Sequence, residues 1–225
     1  MYQEAIKKIK NSIFPIFYQV RVGNHINIGV SGTGFFIDNN GHFLTAHHVI
    51  SGLPNGAKIL YAGNVPHNSF QPVLIEEKVV NPEMDIYIGQ VPKGALSPVS
   101  LSTEITEIGT SICLCGYPLA QIKLDPDGLI DLHNVRQYWQ PTYAIDNATV
   151  KLHDRKYKGF LTQHASLKGM SGGPVFDMKG NVIGVDVASS TRKIQMKADE
   201  HMKVINGIVA SINSIQEIIK TIPNK

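Results

Sequence analysis

Turn signals break this sequence so often that long helices have little room. Gly23-Asn24, Asp38-Asn39-Asn40-Gly41, Asp125-Pro126-Asp127-Gly128 and Met178-Lys179-Gly180-Asn181 each read as tight turns. Between such signals the apolar residues come in short runs, at 16–22, 27–30, 34–37, 58–61, 73–80, 85–91, 111–115, 148–152, 159–163, 175–176, 182–188 and 204–210. Pro15 interrupts the apolar run ahead of the first, and Ser31-Gly32-Thr33 joins the second to the third. Strands of this length and spacing predict an all-β chain, an antiparallel barrel or sandwich. Helical period is expected at the two ends. Residues 3–10 put Ile6 and Ile9 on one side, and 211–222 put Ile212, Ile215, Ile218 and Ile219 on one face. For that last helix Ser211 or Asn213 is the expected N-cap and Pro223 the stop. It is expected to cover the core. The best internal boundary lies between Pro92-Lys93-Gly94 and Pro98, dividing a unit over about 12–95 from one over about 100–210. Residues 119–148 read as less regular, and the charged stretch 191–203 as a solvated loop or hairpin tip.

With 43% hydrophobic and 17% charged residues in 225, the chain has ample material for a core. A net charge of +3 with no dense Lys/Arg run argues against a nucleic-acid stripe. No apolar run is long enough to span a bilayer, and the charged start Met1-Tyr2-Gln3-Glu4-Ala5-Ile6-Lys7-Lys8 lacks the apolar centre of a signal peptide. Cys113 and Cys115 stand two apart in a strand-like run, poorly placed to bridge, so reduced core thiols in a cytoplasmic protein are the expectation. There is no His-Glu-x-x-His, no cysteine quartet and no P-loop, and no cofactor or metal is expected. His153, His164 and His201 are scattered and read as surface or locally hydrogen-bonded residues.

One turn carries chemistry. Gly169-Met170-Ser171-Gly172-Gly173-Pro174 has the form G-x-S-G-G-P. A serine hydroxyl attacks only with a base to take its proton and donors to hold the oxyanion that forms. Glycines around it let backbone N–H groups face a substrate closely. A Gly-rich turn with no chemistry is the alternative, so the rest of the chain must supply a base and an acid. Thr45-Ala46-His47-His48-Val49 places a histidine at a strand end, where it can reach across a cleft as a general base. Asp85 opens an apolar alternating strand, where its charge is costly without a partner such as a histidine N–H.

Taken together, Thr-x-x-His-Val around His48, Asp-Ile around Asp85 and G-x-S-G-G-P around Ser171 resemble the trypsin-like (chymotrypsin-fold) serine proteases. They stand in that family's order, 37 (85 − 48) and 86 (171 − 85) residues apart. Gly32-Thr33-Gly34-Phe35, Gly116-Tyr117-Pro118, Gly180-Asn181-Val182-Ile183-Gly184 and Asn206-Gly207-Ile208-Val209-Ala210 are similar to the bacterial high-temperature-requirement (Deg) type. The likeness runs from about 12 to 222, so a protease domain without a PDZ domain is the expectation. It implies two antiparallel six-stranded β-barrels with a short N-terminal helix and a C-terminal helix. It also implies endopeptidase activity through an acyl-enzyme. Ser171 would be the nucleophile, His48 the base and Asp85 the group holding its tautomer. Gly169, Met170 and Ser171 would form the oxyanion hole through the Gly169 and Ser171 N–H groups. His47 would point to the other face if the strand continues. A protein or peptide substrate is implied, with no nucleic-acid or membrane partner.

Met170 stands where digestive members carry an Asp that pairs with a cleaved N-terminus, and this chain has no Ile-Val-Gly-Gly start. Control would then come from ordering of the 165–170 loop by a neighbouring loop or a regulatory protein partner, with 119–148 as the expected contact. The resemblance puts Ala165, Ser166 and Leu167 on one wall of the primary pocket and Asp186, Val187, Ala188 and Ser189 on the other. Ala165 replaces the Asp behind trypsin's basic preference. Asp186 either aims its carboxylate into the pocket, favouring Lys or Arg, or faces elsewhere and leaves an apolar preference. A protease-fold binding module that no longer cuts is the alternative function.

Overall fold

Short apolar runs ending in turns become short antiparallel strands. The computed structural model describes residues 2–61, 73–93, 97–124, 130–131, 134–152, 155–197 and 200–222. Helix α1 (Gln3–Ile9) and one 3-10 turn at Lys10–Ser12 precede β1 (Ile13–Val22), β2 (His25–Phe36) and β3 (His42–Ala46). Helix α2 (His47–Ser51) and strands β4 (Lys58–Tyr61), β5 (Val73–Leu74), β6 (Glu76–Asn81) and β7 (Ile86–Gln90) complete the first part. The second contains β8 (Ser100–Leu101), β9 (Ser111–Gly116), β10 (Lys123–Leu124), β11 (Ile130–Asp131), β12 (Tyr138–Leu152) and β13 (Arg155–Thr162). It ends with β14 (Pro174–Phe176), β15 (Asn181–Lys197), β16 (Glu200–Ser211) and α3 (Ile212–Lys220).

The chain is mostly β, with two β units and a helix at each end, as expected; of the two six-stranded barrels expected, one is closed and the other is a curled half-barrel. The second sheet runs β14-β9-β12-β13-β16-β15, and β15 pairs back onto β14, closing a ring of six with β8 added in parallel at β15. The first runs β5-β4-β1-β2-β3-β7-β6. Its edges are not joined by a ladder among the described residues. They are joined by one bent stretch, in which β5 pairs with β4, β6 pairs with β7, and the Ile75 N–H between them donates to the Ile59 carbonyl at 3.2 Å. Phe14 fills the first core, its ring 4.6 Å from Phe36, 5.2 Å from Phe43 and 4.8 Å from Tyr61.

Other expectations change in detail. β1 begins at Ile13 and runs through Pro15, which pairs with Thr33. That end of β1 has β2 on one side only, since β4 joins at Phe17–Gln19, so proline's missing donor is tolerated there. The two strands expected at 27–30 and 34–37 are one, β2, carried through Ser31-Gly32-Thr33 by an irregularity opposite Ile16/Phe17. Residues 138–148, expected to be irregular, belong to β12. Within the charged 191–203 stretch, residues 191–197 and 200–203 extend β15 and β16 as a paired hairpin. The turn expected at 125–128 and the stop at Pro223 lie outside the described residues. Helix α3 begins as expected, with the Ser211 hydroxyl accepting the Ser214 N–H at 3.2 Å, and it buries Ile212 and Ile215. Cys113 and Cys115 are buried free thiols, and burial pushes Cys113 up to about 12 and Cys115 well above its ordinary value. No described helix is long and apolar enough to cross a membrane.

Candidate active site

The antiparallel pairing of β3 with β7 sets Ala46 opposite Ile86, and so brings the residues after one strand beside the residue before the other. The strand stops at Ala46, and the chain turns into α2 at His47. Its first two N–H groups, orphaned by the helix start, are taken by Asp85. The His47 N–H donates to the Asp85 carbonyl at 2.9 Å, and the His48 N–H to Asp85 Oδ1 at 2.8 Å. Asp85 Oδ2 lies 2.7 Å from His48 Nδ1. Both carboxylate oxygens therefore hold the same histidine. Asp85 is wholly buried, while the His48 side chain keeps 30% of its surface open. Asp85 sits at φ +56, a left-handed conformation that Asp adopts more readily than most residues, in a turn whose Met84 N–H is held by Asn81 Oδ1 at 2.9 Å. A carboxylate only accepts, so Nδ1 carries the hydrogen and Nε2 keeps its lone pair.

Ser171 arrives from the other sheet, in the loop between β13 and β14. Its carbonyl accepts the Thr33 N–H at 2.9 Å. Thr33 does more: its hydroxyl donates to the Gly169 carbonyl at 2.8 Å and accepts the Tyr117 N–H at 3.0 Å, while its own carbonyl takes the Thr45 hydroxyl at 2.7 Å. The packing leaves no space for a side chain at Gly172, which has φ +83 and where a Cβ would fall 2.0 Å from Thr45 Oγ1. Gly169, at φ +100, would set a Cβ 2.4 Å from the Tyr117 carbonyl. The Lys168 carbonyl accepts the Leu119 N–H at 2.9 Å. Because C=O and N–H of a trans peptide point in opposite directions, the Gly169 N–H is turned away from Leu119. Among the described residues neither the Gly169 nor the Ser171 N–H has a hydrogen-bond acceptor. Within the same set, no hydrogen bond joins the Ser171 hydroxyl to His48, a contact that resting sites often leave long.

Met170, next to the serine, points the other way. It is fully buried in the closed barrel with Ile112, Leu114, Phe160, Val175 and Val209. The 165–170 loop is thus anchored by apolar packing, where digestive members were expected to use an ion pair. The Leu119–Lys168 bond links this loop to the start of the 119–148 segment.

The proposed pocket walls meet in part. Asp186 is wholly buried, its Oδ2 takes a short hydrogen bond from the Ser166 hydroxyl, and its Oδ1 is buried with no hydrogen-bond partner among the described residues. Burial lifts its carboxyl to about 7, against the opposing pull of the Ser166 bond and of His48. The Ser189 hydroxyl donates to the Ser166 carbonyl at 3.4 Å and Gln140 Nε2 to the Ala165 carbonyl at 3.1 Å. Leu167 is 41% exposed, Ala188 half-buried, and Val187 packs into the core. Thr33 is the residue that motif reading passed over. It lay inside the noted Gly32-Thr33-Gly34-Phe35, and its burial as a hydroxyl is the signal that marks it.

The fold has close structural relatives. AlgW, an HtrA-type protease solved with a decapeptide, superposes with a TM-score of 0.70 at 17% identity, covering 98% of this chain and 68% of that one. The protease Rv3671c of Mycobacterium tuberculosis, in its active form, gives 0.68 at 16% identity over 98% and 85%. A serine endoprotease from Yersinia pestis gives 0.66 at 14% over 98% and 65%. By sequence, the uncharacterized protein y4bJ of Sinorhizobium fredii is 32% identical over 158 residues, 69% of this chain but 21% of that protein. The chain therefore spans about a fifth of the length of that curated relative. The family model for the trypsin-like peptidase domain matches residues 32–185, a span that contains His48, Asp85 and Ser171. The chain belongs to the trypsin-like peptidase domain family.

Proposed function

We propose that the protein is a serine endopeptidase in which Ser171 is the nucleophile. His48 takes the serine proton and later delivers it to the departing amine. Asp85 holds the imidazole in the tautomer that leaves Nε2 free and stabilises its charged form. The carbonyl oxygen of the attacked bond, as it becomes an oxyanion, is received by the Gly169 and Ser171 N–H groups. The acyl group rests on Ser171 until water, activated by the same histidine, releases it. The observation that carries this reading is the double hold of Asp85 on His48, with one carboxylate oxygen on the backbone N–H at 2.8 Å and the other on Nδ1 at 2.7 Å. A merely structural carboxylate has no need to fix the ring of a half-open histidine.

Two observations support a peptide substrate: the AlgW structures hold peptides, and the family is defined as peptidases. Asp186 has no exposed surface and already holds Ser166, which favours an uncharged residue in the primary pocket over Lys or Arg. The Leu119–Lys168 bond supports control through the 119–148 segment, with loop order as the regulated quantity.

A fluorophosphonate probe tests the central claim. Wild-type protein is expected to be labelled on Ser171, identified by peptide mapping, and Ser171→Ala to be unlabelled at equal fold stability. An unlabelled, natively folded wild type would instead support the silent binding module.

A further inference from the structure

We propose that the cleft beyond Gly169 receives the part of the substrate that leaves, and that Lys168 makes it select a carboxylate there. This rests on the reading of Ser171 as nucleophile. The serine loop is tied on two opposite sides. Toward β15, the Gly172 N–H donates to the Asp186 carbonyl at 2.7 Å and the Asp186 N–H to the Gly173 carbonyl at 2.9 Å. Toward β2, the Thr33 N–H donates to the Ser171 carbonyl at 2.9 Å. A peptide whose acyl half lies between the 165–167 and 186–189 walls must pass Ser171 and depart over β2.

On that side lies a cleft of about 220 Å³, framed by Val30, Ser31, Leu119, Gln121, Lys168 and Gly169. Gly169, two residues from Ser171, is part of its lining, so the cleft adjoins the serine loop. Its walls are apolar at Val30 and Leu119, and Leu119 is 70% exposed on the rim. Lys168 carries the one charge among the lining side chains, all of which are described. It is exposed and forms no ion pair among the described residues. Its main chain is pinned by the bond from Leu119, so the ammonium is tethered at the cleft's edge. An apolar wall beside one unpaired cation fits a short stem ending in a carboxylate. Such a group comes either from a Glu or Asp side chain one or two residues after the cut bond, or from the α-carboxylate of a peptide that ends there.

The test is a fluorogenic peptide library, varied at the two residues after the cleaved bond, with amidated C-termini. Glu is expected to exceed Gln by about fivefold in kcat/KM at low salt and to lose most of that advantage at high salt. Lys168→Gln should erase the Glu/Gln difference, and Lys168→Glu should invert the Glu/Lys order. A parallel set, ending two residues past the cut with free or amidated ends, separates the sources. A gain confined to free ends assigns the terminal carboxylate, and a gain in amidated Glu peptides assigns the side chain. An unchanged Glu/Lys order in Lys168→Glu together with no gain for free over amidated ends, with Ser171 labelled in the wild type, overturns the subsite and leaves the peptidase reading standing. Failure of Ser171 labelling overturns both.

Discussion

Around His48 the fixing is polar, whereas around Ser171 it is done by backbone shape and apolar packing. Asp85 uses its carbonyl and both carboxylate oxygens to hold α2, from a wholly buried position. The serine loop uses two left-handed glycines, main-chain bonds to Thr33 and Asp186, and the burial of Met170. The difference is informative because the two anchors respond to different perturbations. A charge-assisted hold depends on one residue and is lost at once with it. A packed anchor is spread over many neighbours and weakens by degrees. His48 is thereby set rigidly, and whatever adjustment the site undergoes belongs to the serine side.

The largest expected effect strikes the polar half. Asp85→Asn, by offering a donor where His48 needs an acceptor, should lower kcat/KM by about 10⁴-fold, roughly 5 kcal/mol in the barrier, while fold stability changes far less. Single-turnover cleavage beside a urea melt would check it, and a loss under tenfold would mean that Asp85 does not orient the base. Next in size is the carboxyl that belongs to neither anchor, Asp186. Its folded value, about 7, lies above its ordinary 3.8, so the folded form holds a proton that the unfolded chain has already released. The associated stability is full below about pH 4 and is lost as pH rises through 7. Asp186→Asn should therefore gain on wild type across that window, by up to about 4 kcal/mol. A constant difference in denaturation free energy from pH 4 to 8 would contradict the buried, unpaired state of Oδ1. The smallest effect falls on the packed half. Met170→Ala should cost about 3 kcal/mol of stability. Phosphonate labelling should slow, with the slowing relieved by lower temperature. An abrupt, complete loss of labelling in a stably folded variant would mean that the packed anchor behaves like the polar one.

Much of the site was legible because its geometry is local. A serine among glycines is a property of six consecutive residues, and the histidine and aspartate each sit at a strand boundary marked by turn residues. The fold class was legible for the same reason. Closure of the barrels was not, because whether 73–81 joins its neighbours as a full strand or as two short ones depends on chain far away in sequence. β12 was missed where its pattern is inverted: Thr142 and Ala144 are buried while Tyr143 and Ile145 are exposed, so the small residues face inward and the large apolar ones outward. The turn into α2 at His47 follows from Asp85 capping its N–H groups, a tertiary contact invisible in the local sequence. Asp186 could be assigned to a wall of the pocket but not oriented, since its direction is decided by Ser166, twenty residues away.

Thr33 gives the molecule a mechanical property. It belongs to the half-barrel, yet its hydroxyl sits between two strips of main chain of the closed barrel, 2.8 Å from the Gly169 carbonyl and 3.0 Å from the Tyr117 nitrogen. Hydrogen bonds of that length do not survive a slip of one ångström. A force that shears one sheet against the other is therefore transmitted to Gly169, two residues from Ser171, through an oxygen atom acting as a pivot pin. A ligand gripping the outer surfaces of both sheets, far from the cleft, would have a short lever to the candidate site.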